Sequence, residues 1–328
     1  LQRARNAGPW EKPPDGARPS LPGRIARGGP EARLYSVKIA TFTDGKRSRL
    51  GLIEDGEIID TLHAADAPRN MQSFLEGGAA AREALQRLRR RAPRLPLAKV
   101  RLQAPIPRPP KFLGAALNYS DHIRETGLPR NPYPSFFTKQ PTCVIGPGDA
   151  IHRPRVSEKL DYEGELGLVI GRRCRHVPRE RAAEASGGFL AVNDVTVRDW
   201  QARSPTWTLG KSFDTHGPLG PWLVTPEELG DPQNLGIETR VNGELRQSFR
   251  TSEMIFDCCR MVEYLSIVMT LEPGDVIATG TGAGVGVRMT PRGYLRPGDT
   301  VCIRIEGIGE LQNPVIEEPS APSAAQEG

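Results

Sequence analysis

The sequence has no apolar run approaching the roughly 20 residues that span a bilayer, and none opens it, so neither a transmembrane anchor nor a secretory leader is expected. It has no CxxC pair. Its five cysteines are an odd number, and Cys143, Cys174, Cys258, Cys259 and Cys302 read as buried free thiols, not as a disulfide frame or a zinc site. The histidines His63, His152, His176 and His216 show no metal-ligand spacing and receive no role. Basic charge is scarce on the part expected to fold. Of the net +5, the first 34 residues carry +4: Arg3, Arg5, Lys12, Arg18, Arg24, Arg27 and Arg33 against Glu11, Asp15 and Glu31. What remains is close to neutral, which argues against a face that follows a phosphate backbone. A second basic cluster, Arg87–Arg91 with Arg94, reads as a solvated face. The glycine-rich run TGTGAGVG at 279–286 has Val285 where a dinucleotide-binding loop needs its last glycine, and it lacks the Lys-Ser/Thr of a P-loop. The protein is therefore expected to be soluble and cytoplasmic, with no nucleic-acid or membrane partner.

What is present is a chain rich in glycine (35) and proline (31), a composition that favours short strands joined by turns. Residues 1–34 read as a disordered basic extension. YSVKIATFTD and SRLGLIEDGEIIDTL read as strands with a turn at Asp55-Gly56. A helix is expected over about Met71–Arg91, and then a proline-spaced connector. Residues 35–105 thus form a small β-rich N-terminal domain and linker. Residues 106–316 form one catalytic domain, and 317–328 a loose tail. Within the larger domain, KFLGAALN, DYEGELGLVIG, GGFLAVNDV, GPWLVT, IETRVNGEL and GDVIATGT read as strands. One clear helix is expected over Ser252–Thr270, capped by Thr251 or Ser252. Strands dominate and do not alternate with helices. The fold class is α+β, β-dominated, and a doubly wound parallel sheet is disfavoured.

Glu163-Gly164-Glu165 opens a strand whose continuation, LGLVIG, should be buried. Side chains at i and i+2 of a strand share a face about 6.6 Å apart, so the two carboxylates can converge on one point. Gly164 leaves the opposite face open to close backbone approach. Two carboxylates about 4 Å apart repel by roughly 4 kcal/mol at an effective dielectric near 20, a penalty that a divalent cation removes. Asp194, at the end of the apolar run 189–192, is the natural third ligand. Three oxygen ligands without histidine or cysteine suit Mg²⁺ or Mn²⁺. On spacing alone, two exposed acids on an edge strand and an Asp in a turn would look the same.

Other clusters are suggestive. His122 and Glu125 stand one helical turn apart, as a water-activating dyad requires, although an incidental pair in a surface turn fits equally. Lys211, in TWTLGKSFDTHGP, could meet an oxyanion or snorkel to the surface. Arg198 and Gln201 follow Asp194 by four and seven residues. In the glycine-rich run, backbone amides around Gly280, together with Thr281, could grip a carboxylate.

The strings LNYSDHIRETG, DYEGELGLVIGRRC, GGFLAVNDVTVRDWQ, WTLGKSFDTHGPLGPWLVT, VNGELRQ, MIFD, LEPGDVIATGT and GVG, in this order over about 111–314, resemble the fumarylacetoacetate hydrolase family. The resemblance implies a mixed β-roll catalytic domain, a homodimer and bound Mg²⁺ or Mn²⁺. It places Glu163, Glu165 and Asp194 on metal-ligand positions. His122 and Glu125 fall on the catalytic dyad of the acylpyruvate-hydrolysing branch, carried on a lid. Gln201, Lys211, Thr215 and Thr281 fall on substrate and oxyanion positions. Asn118 stands where the tyrosine-catabolism member has another acidic ligand, so fumarylacetoacetate itself is not the expected substrate. The expected reaction is hydrolysis of a carbon–carbon bond in an acylpyruvate, a 2,4-dioxo acid, leaving a pyruvate enolate at the metal. Decarboxylation of 2-oxo-dioates, or isomerisation and tautomerisation of hydroxydienoates, is the alternative on the same site.

Overall fold

The structure is a computed structural model that describes residues 37–320 apart from 63, 65 and 90. The basic extension over 1–34 and His63 lie outside the described residues. Strands β1 (Lys38–Thr43), β2 (Ser48–Glu54) and β3 (Glu57–Asp60) form an antiparallel meander. Its second turn has Asp55 at φ 50° and Gly56 at φ 79°, the left-handed pair of a tight hairpin. Helix α1 (Met71–Leu88) starts at Asn70, which exchanges hydrogen bonds with Ser73 in a capping box, and is kinked at Gly78. The proline-spaced connector contributes β4 (Arg94–Pro96) and β5 (Arg101–Gln103), which pair with β3 and β1.

The rest of the chain runs β6 (Phe112–Ala116), α2 (Ser120–Thr126), β7 (Ser135–Lys139), β8 (Val144–Ile145), β9 (Ile151–Arg153), β10 (Leu160–Asp161), β11 (Gly164–Ile170) and β12 (Ser186–Asn193). It continues through β13 (Thr196–Val197), α3 (Arg198–Gln201), α4 (Thr208–Lys211), β14 (Gly217–Val224), α5 (Pro226–Leu229), β15 (Gly236–Val241) and β16 (Glu244–Arg250). It closes with α6 (Cys258–Val268), β17 (Val276–Ala278), β18 (Thr300–Ile305) and β19 (Gly309–Glu317). The main path of the large sheet is ordered β4-β3-β2-β1-β14-β12-β11-β17-β6-β7, and a second sheet β16-β15-β18-β19-β9. Most pairings are antiparallel, with β6–β17, β8–β14 and β9–β19 parallel. This is the β-dominated α+β architecture expected, rolled rather than doubly wound.

The hairpin of β11 and β12 lies at the centre. On one face Leu166, Leu168 and Ala191 pack with Ile237, Val301, Ile303 and Leu311 of the second sheet. On the other, Val169, Leu190 and Val192 pack with Val37, Ile39, Leu50, Phe74 and Leu75 of the N-terminal region. Burial on both faces is why these strands read as continuous apolar runs and not as alternating ones. The N-terminal strands also extend the catalytic sheet, with Lys38 opposite Val224 and Ile39 opposite Leu223. The described residues of 37–105 and those of 106–316 therefore share a sheet and a core.

Two boundaries differ from expectation. The helix expected over Ser252–Thr270 begins at Cys258. Residues 251–253 form a separate 3-10 turn, and the cap is Asp257, which accepts from the Arg260 amide at 2.8 Å. Helical spacing ran on through Ile255 because an extended link happened to carry an apolar residue in phase. The tail expected from 317 is partly anchored. Glu317 completes β19 and pairs with Arg153 at 2.6 Å, and Glu318 accepts from the Arg155 amide at 2.9 Å. The five cysteines are free thiols, Cys143 and Cys258 buried and the others half-buried.

Candidate metal centre and active site

Glu163 and Glu165 flank Gly164 at the head of β11, and Asp194 follows the end of β12 directly beside it. The Asp194 amide donates to the Glu163 carbonyl at 2.9 Å, and the Glu163 amide donates to the Asn193 side chain at 3.1 Å. The two strand ends are thus stapled together. One carboxylate oxygen from each of Glu163, Glu165 and Asp194 lies within 4.8 Å of the others, and all three residues are buried. Gly164 allows this convergence, because a Cβ there would stand 2.2 Å from Thr239 Oγ1. Gln247 accepts from the Gly164 amide at 3.0 Å and donates to Thr281 Oγ1 at 2.8 Å.

Two buried lysines and the mostly buried Arg198 face the acids. Lys211 Nζ donates to Glu163 Oε2 and Asp194 Oδ2, each at 2.6 Å. Lys139 Nζ donates to Asp194 Oδ1 at 2.7 Å and to the Lys211 carbonyl. Arg198 reaches Glu163 Oε1 at 2.8 Å, Asp161 Oδ2 at 2.8 Å and Gln201 Oε1 at 3.2 Å. Burial alone would raise the Glu163 carboxyl, but Lys211 and Arg198 outweigh it and hold the group well below the usual carboxylate range. Burial likewise works against the Lys211 ammonium, yet Asp194 and Glu163 raise it above its ordinary value. Glu165 differs. Among the described residues no cation lies within ion-pair distance of it, and its anchor is the Gly280 amide at 2.7 Å. Burial, then the charges of Asp194 and Glu163, push its carboxyl well above the usual range.

Four buried acids, counting Asp161, thus face three cations. With all four ionised the acids outnumber the cations by one, and the raised Glu165 carboxyl is where that excess shows, in a cluster of hard oxygen donors. That set fits a divalent cation and offers no histidine or cysteine to a softer one. When bound, such an ion acts as a Lewis acid toward a carbonyl oxygen.

His122 and Glu125 meet as expected, Nδ1 to Oε2 at 3.1 Å, on one turn of α2. His122 is buried and lies near Glu163 of the triad. The second oxygen of Glu125 accepts from the Gly284 amide at 2.9 Å. The glycine-rich loop does bind carboxylates through its amides, but those seen here are the protein's own. Gly280 serves Glu165, Ala283 serves Asp121 at 3.0 Å, Gly284 serves Glu125, and Gly286 and Val287 serve Asp161 at 2.8 and 2.9 Å. Thr281 Oγ1 donates to the Gly164 carbonyl at 2.9 Å. Thr215, at φ 71°, accepts from the His152 amide at 2.9 Å and makes no polar contact with the three acids. Asn118 bridges the backbone of Phe256 and Thr279 rather than joining the acids.

Lys139 and Asp161 are site residues that sequence reasoning missed. Each carried a faint signal: a lysine closing the apolar strand SFFTK, and an acid two residues before Glu163. His216 is buried without a polar contact to the three acids, its Nε2 donating to the His152 carbonyl at 2.8 Å. Burial pushes it down to about 3, so it stays neutral.

Comparison with known proteins agrees with this geometry. Residues 111–316 match the family model described as fumarylacetoacetate (FAA) hydrolase, C-terminal. The Xenopus laevis protein named oxaloacetate tautomerase fahd2, mitochondrial, is 38% identical over 303 residues, covering 90% of this chain and 95% of its own. The fumarylacetoacetate hydrolase of Exiguobacterium antarcticum superposes with a TM-score of 0.76 at 39% identity, covering 86% of this chain and 100% of that one. The maleylpyruvate hydrolase of Sphingobium sp. SYK-6, solved with manganese(II) and pyruvate, gives 0.74 at 31% identity over 86% and 100%. A centrally placed carboxylate triad, a His-Glu dyad beside it, and a match across two thirds of the sequence make this chain a member of the fumarylacetoacetate hydrolase family, an enzyme with a divalent-metal site.

Proposed function

We propose that the enzyme hydrolyses a carbon–carbon bond in an acylpyruvate, with Mg²⁺ or Mn²⁺ held by Glu163, Glu165 and Asp194. The observation carrying this reading is the hydrogen-bonded pair of buried His122 and half-buried Glu125, with His122 near Glu163 of the triad. Glu125 on Nδ1 fixes the imidazole tautomer and leaves Nε2 as the base. His122 takes a proton from water, and the hydroxide adds to the distal carbonyl. Lys211 has three protons, two of which go to Glu163 and Asp194; the third can meet the new oxyanion. The Gln201 amide nitrogen is a second donor, its oxygen being taken by Arg198. Cleavage between C3 and the distal carbon yields a carboxylate and the enolate of pyruvate, which His122 reprotonates. Arg198 and the Thr281 loop hold the 2-oxo acid end.

Tautomerisation is the second reading, favoured by the similarity to an oxaloacetate tautomerase across 90% of this chain. Here the dyad moves a proton between C3 and the C2 oxygen, without hydroxide adding to carbon. The two are separated by identifying the products of acetylpyruvate and oxaloacetate, with and without chelator. Pyruvate and acetate from acetylpyruvate support hydrolysis. Accelerated keto–enol exchange of oxaloacetate with no cleavage of either compound favours the second reading, and CO₂ release would point to decarboxylation. Lys211→Met is expected to lower turnover about 10²–10³-fold, as loss of one oxyanion donor does, with Mn²⁺ still bound by calorimetry. Unchanged turnover would remove Lys211 from the mechanism.

A further inference from the structure

Helix α2 has seven residues, too few to hold itself together in water, so whatever fixes its position must come from outside it. The contacts converge on the glycine-rich loop. Asp121 Oδ2 accepts from the Ala283 amide at 3.0 Å, and Glu125 Oε1 from the Gly284 amide at 2.9 Å. The helix C-terminus is held by Arg288, which donates to the Thr126 carbonyl at 2.9 Å. Asp121 and Glu125 are four residues apart and so share one face of the helix, and their partners are consecutive amides.

The loop offers these amides from a rigid seat. Thr281 is tied to Gly164, Gly282 accepts from Gln247 at 3.1 Å, and Gly284 accepts from Tyr162 at 2.9 Å. Gly284 has φ 102° and sits where a Cβ would lie 2.1 Å from the Arg246 carbonyl, so this backbone has little room to shift.

We propose that Asp121 is a positioning residue for the dyad. Without Asp121 the ties named above would be those of Glu125 and Arg288, both in the last turn of the helix. A second carboxylate one turn earlier ties down the first turn and fixes where His122 points relative to the metal ligands. The same loop holds Glu165 through Gly280, so the base and a metal ligand are positioned from a single backbone segment. Among the described residues Asp121 makes no hydrogen bond or ion pair with the triad or the imidazole ring; its other oxygen accepts from the His122 backbone amide at 2.7 Å. This inference rests on His122 being the base.

The test compares full-length wild type, Asp121→Ala and Asp121→Asn with Mn²⁺ on whichever of acetylpyruvate or oxaloacetate the wild type turns over. A displacement of the base on the ångström scale predicts a fall in kcat of about 10–100-fold for Asp121→Ala. KM should stay within about threefold and the Mn²⁺ dissociation constant within about twofold, because neither substrate grip nor ligands are touched. Asp121→Asn keeps an oxygen for the Ala283 amide and should recover most of kcat. Amide hydrogen exchange over 120–126 should rise in Asp121→Ala and not in Asp121→Asn. Unchanged kcat in Asp121→Ala, an Asn variant no better than Ala, or kcat and Mn²⁺ affinity falling together would each overturn the assignment. If wild type turns over neither compound, the proposed reaction fails by itself, and hydrogen exchange still decides whether Asp121 holds the helix.

Discussion

At the scale of single residues the site is a charge-matching problem. Asp194 has each oxygen occupied by a lysine, and Lys139 is completely buried in doing so. Removing one partner of a buried ion pair strands the other, which costs about 3–5 kcal/mol. Lys139→Met should therefore lower metal-free stability by that order in denaturant titrations, with added Mn²⁺ recovering part of the loss. A loss below about 0.5 kcal/mol would mean that Lys139 is not needed there. Glu165 predicts a pH dependence. Its carboxyl is raised in the folded protein above the ordinary 4.5 by burial, Asp194 and Glu163. The folded state then binds a proton that the unfolded chain has already released. That contribution is complete below about 4.5 and fades as pH rises through the folded value. Metal-free protein should thus lose stability as pH increases above 4.5, and Glu165→Gln should flatten the slope, as thermal melts across pH can show. Glu163, Glu165, Asp194, His122, Glu125 and Lys211 were all legible as candidates from residue type and spacing. Lys139 was not, because nothing in a lysine 55 residues from Asp194 announces that the sheet will bring them together.

At the scale of elements, local rules worked where local forces decide. The Asp55-Gly56 hairpin and the helix starting at Met71 follow from turn and cap chemistry. The start of α6 was misplaced because Thr251 and Ser252 are also good caps. The choice of Asp257 is made by tertiary contact, since its carboxylate also pairs with Arg179. Asp257→Ala should destabilise the protein by about 0.5–2 kcal/mol, the range for losing an N-cap. Ser252→Ala should fall within about 0.5 kcal/mol of wild type. Equal effects in chemical denaturation would return the helix start to Ser252. The glycine-rich loop shows a different limit. Its composition pointed to anion binding, and four of its amides, with that of Val287 just beyond, do hold carboxylates, but the identity of those anions depended on which acids the fold carried there.

At the scale of the whole molecule, β1 joins β14 and one apolar cluster contains both Ile39 and Val192, so the N-terminal strands and the catalytic roll are held by the same core. Metal-free protein should unfold in one calorimetric transition, with calorimetric and van't Hoff enthalpies agreeing; two separated peaks would contradict a shared core. By itself the sequence determined the strand-rich class, the acids at the centre and the dyad one turn apart, because strand period, helix period and residue chemistry are local properties. Which cations neutralise those acids, which carboxylates the loop holds, and how the N-terminal strands complete the sheet were decided only by tertiary structure. Each depends on groups tens to hundreds of residues apart, and their meeting is set by the packing of β11 and β12 between two apolar layers.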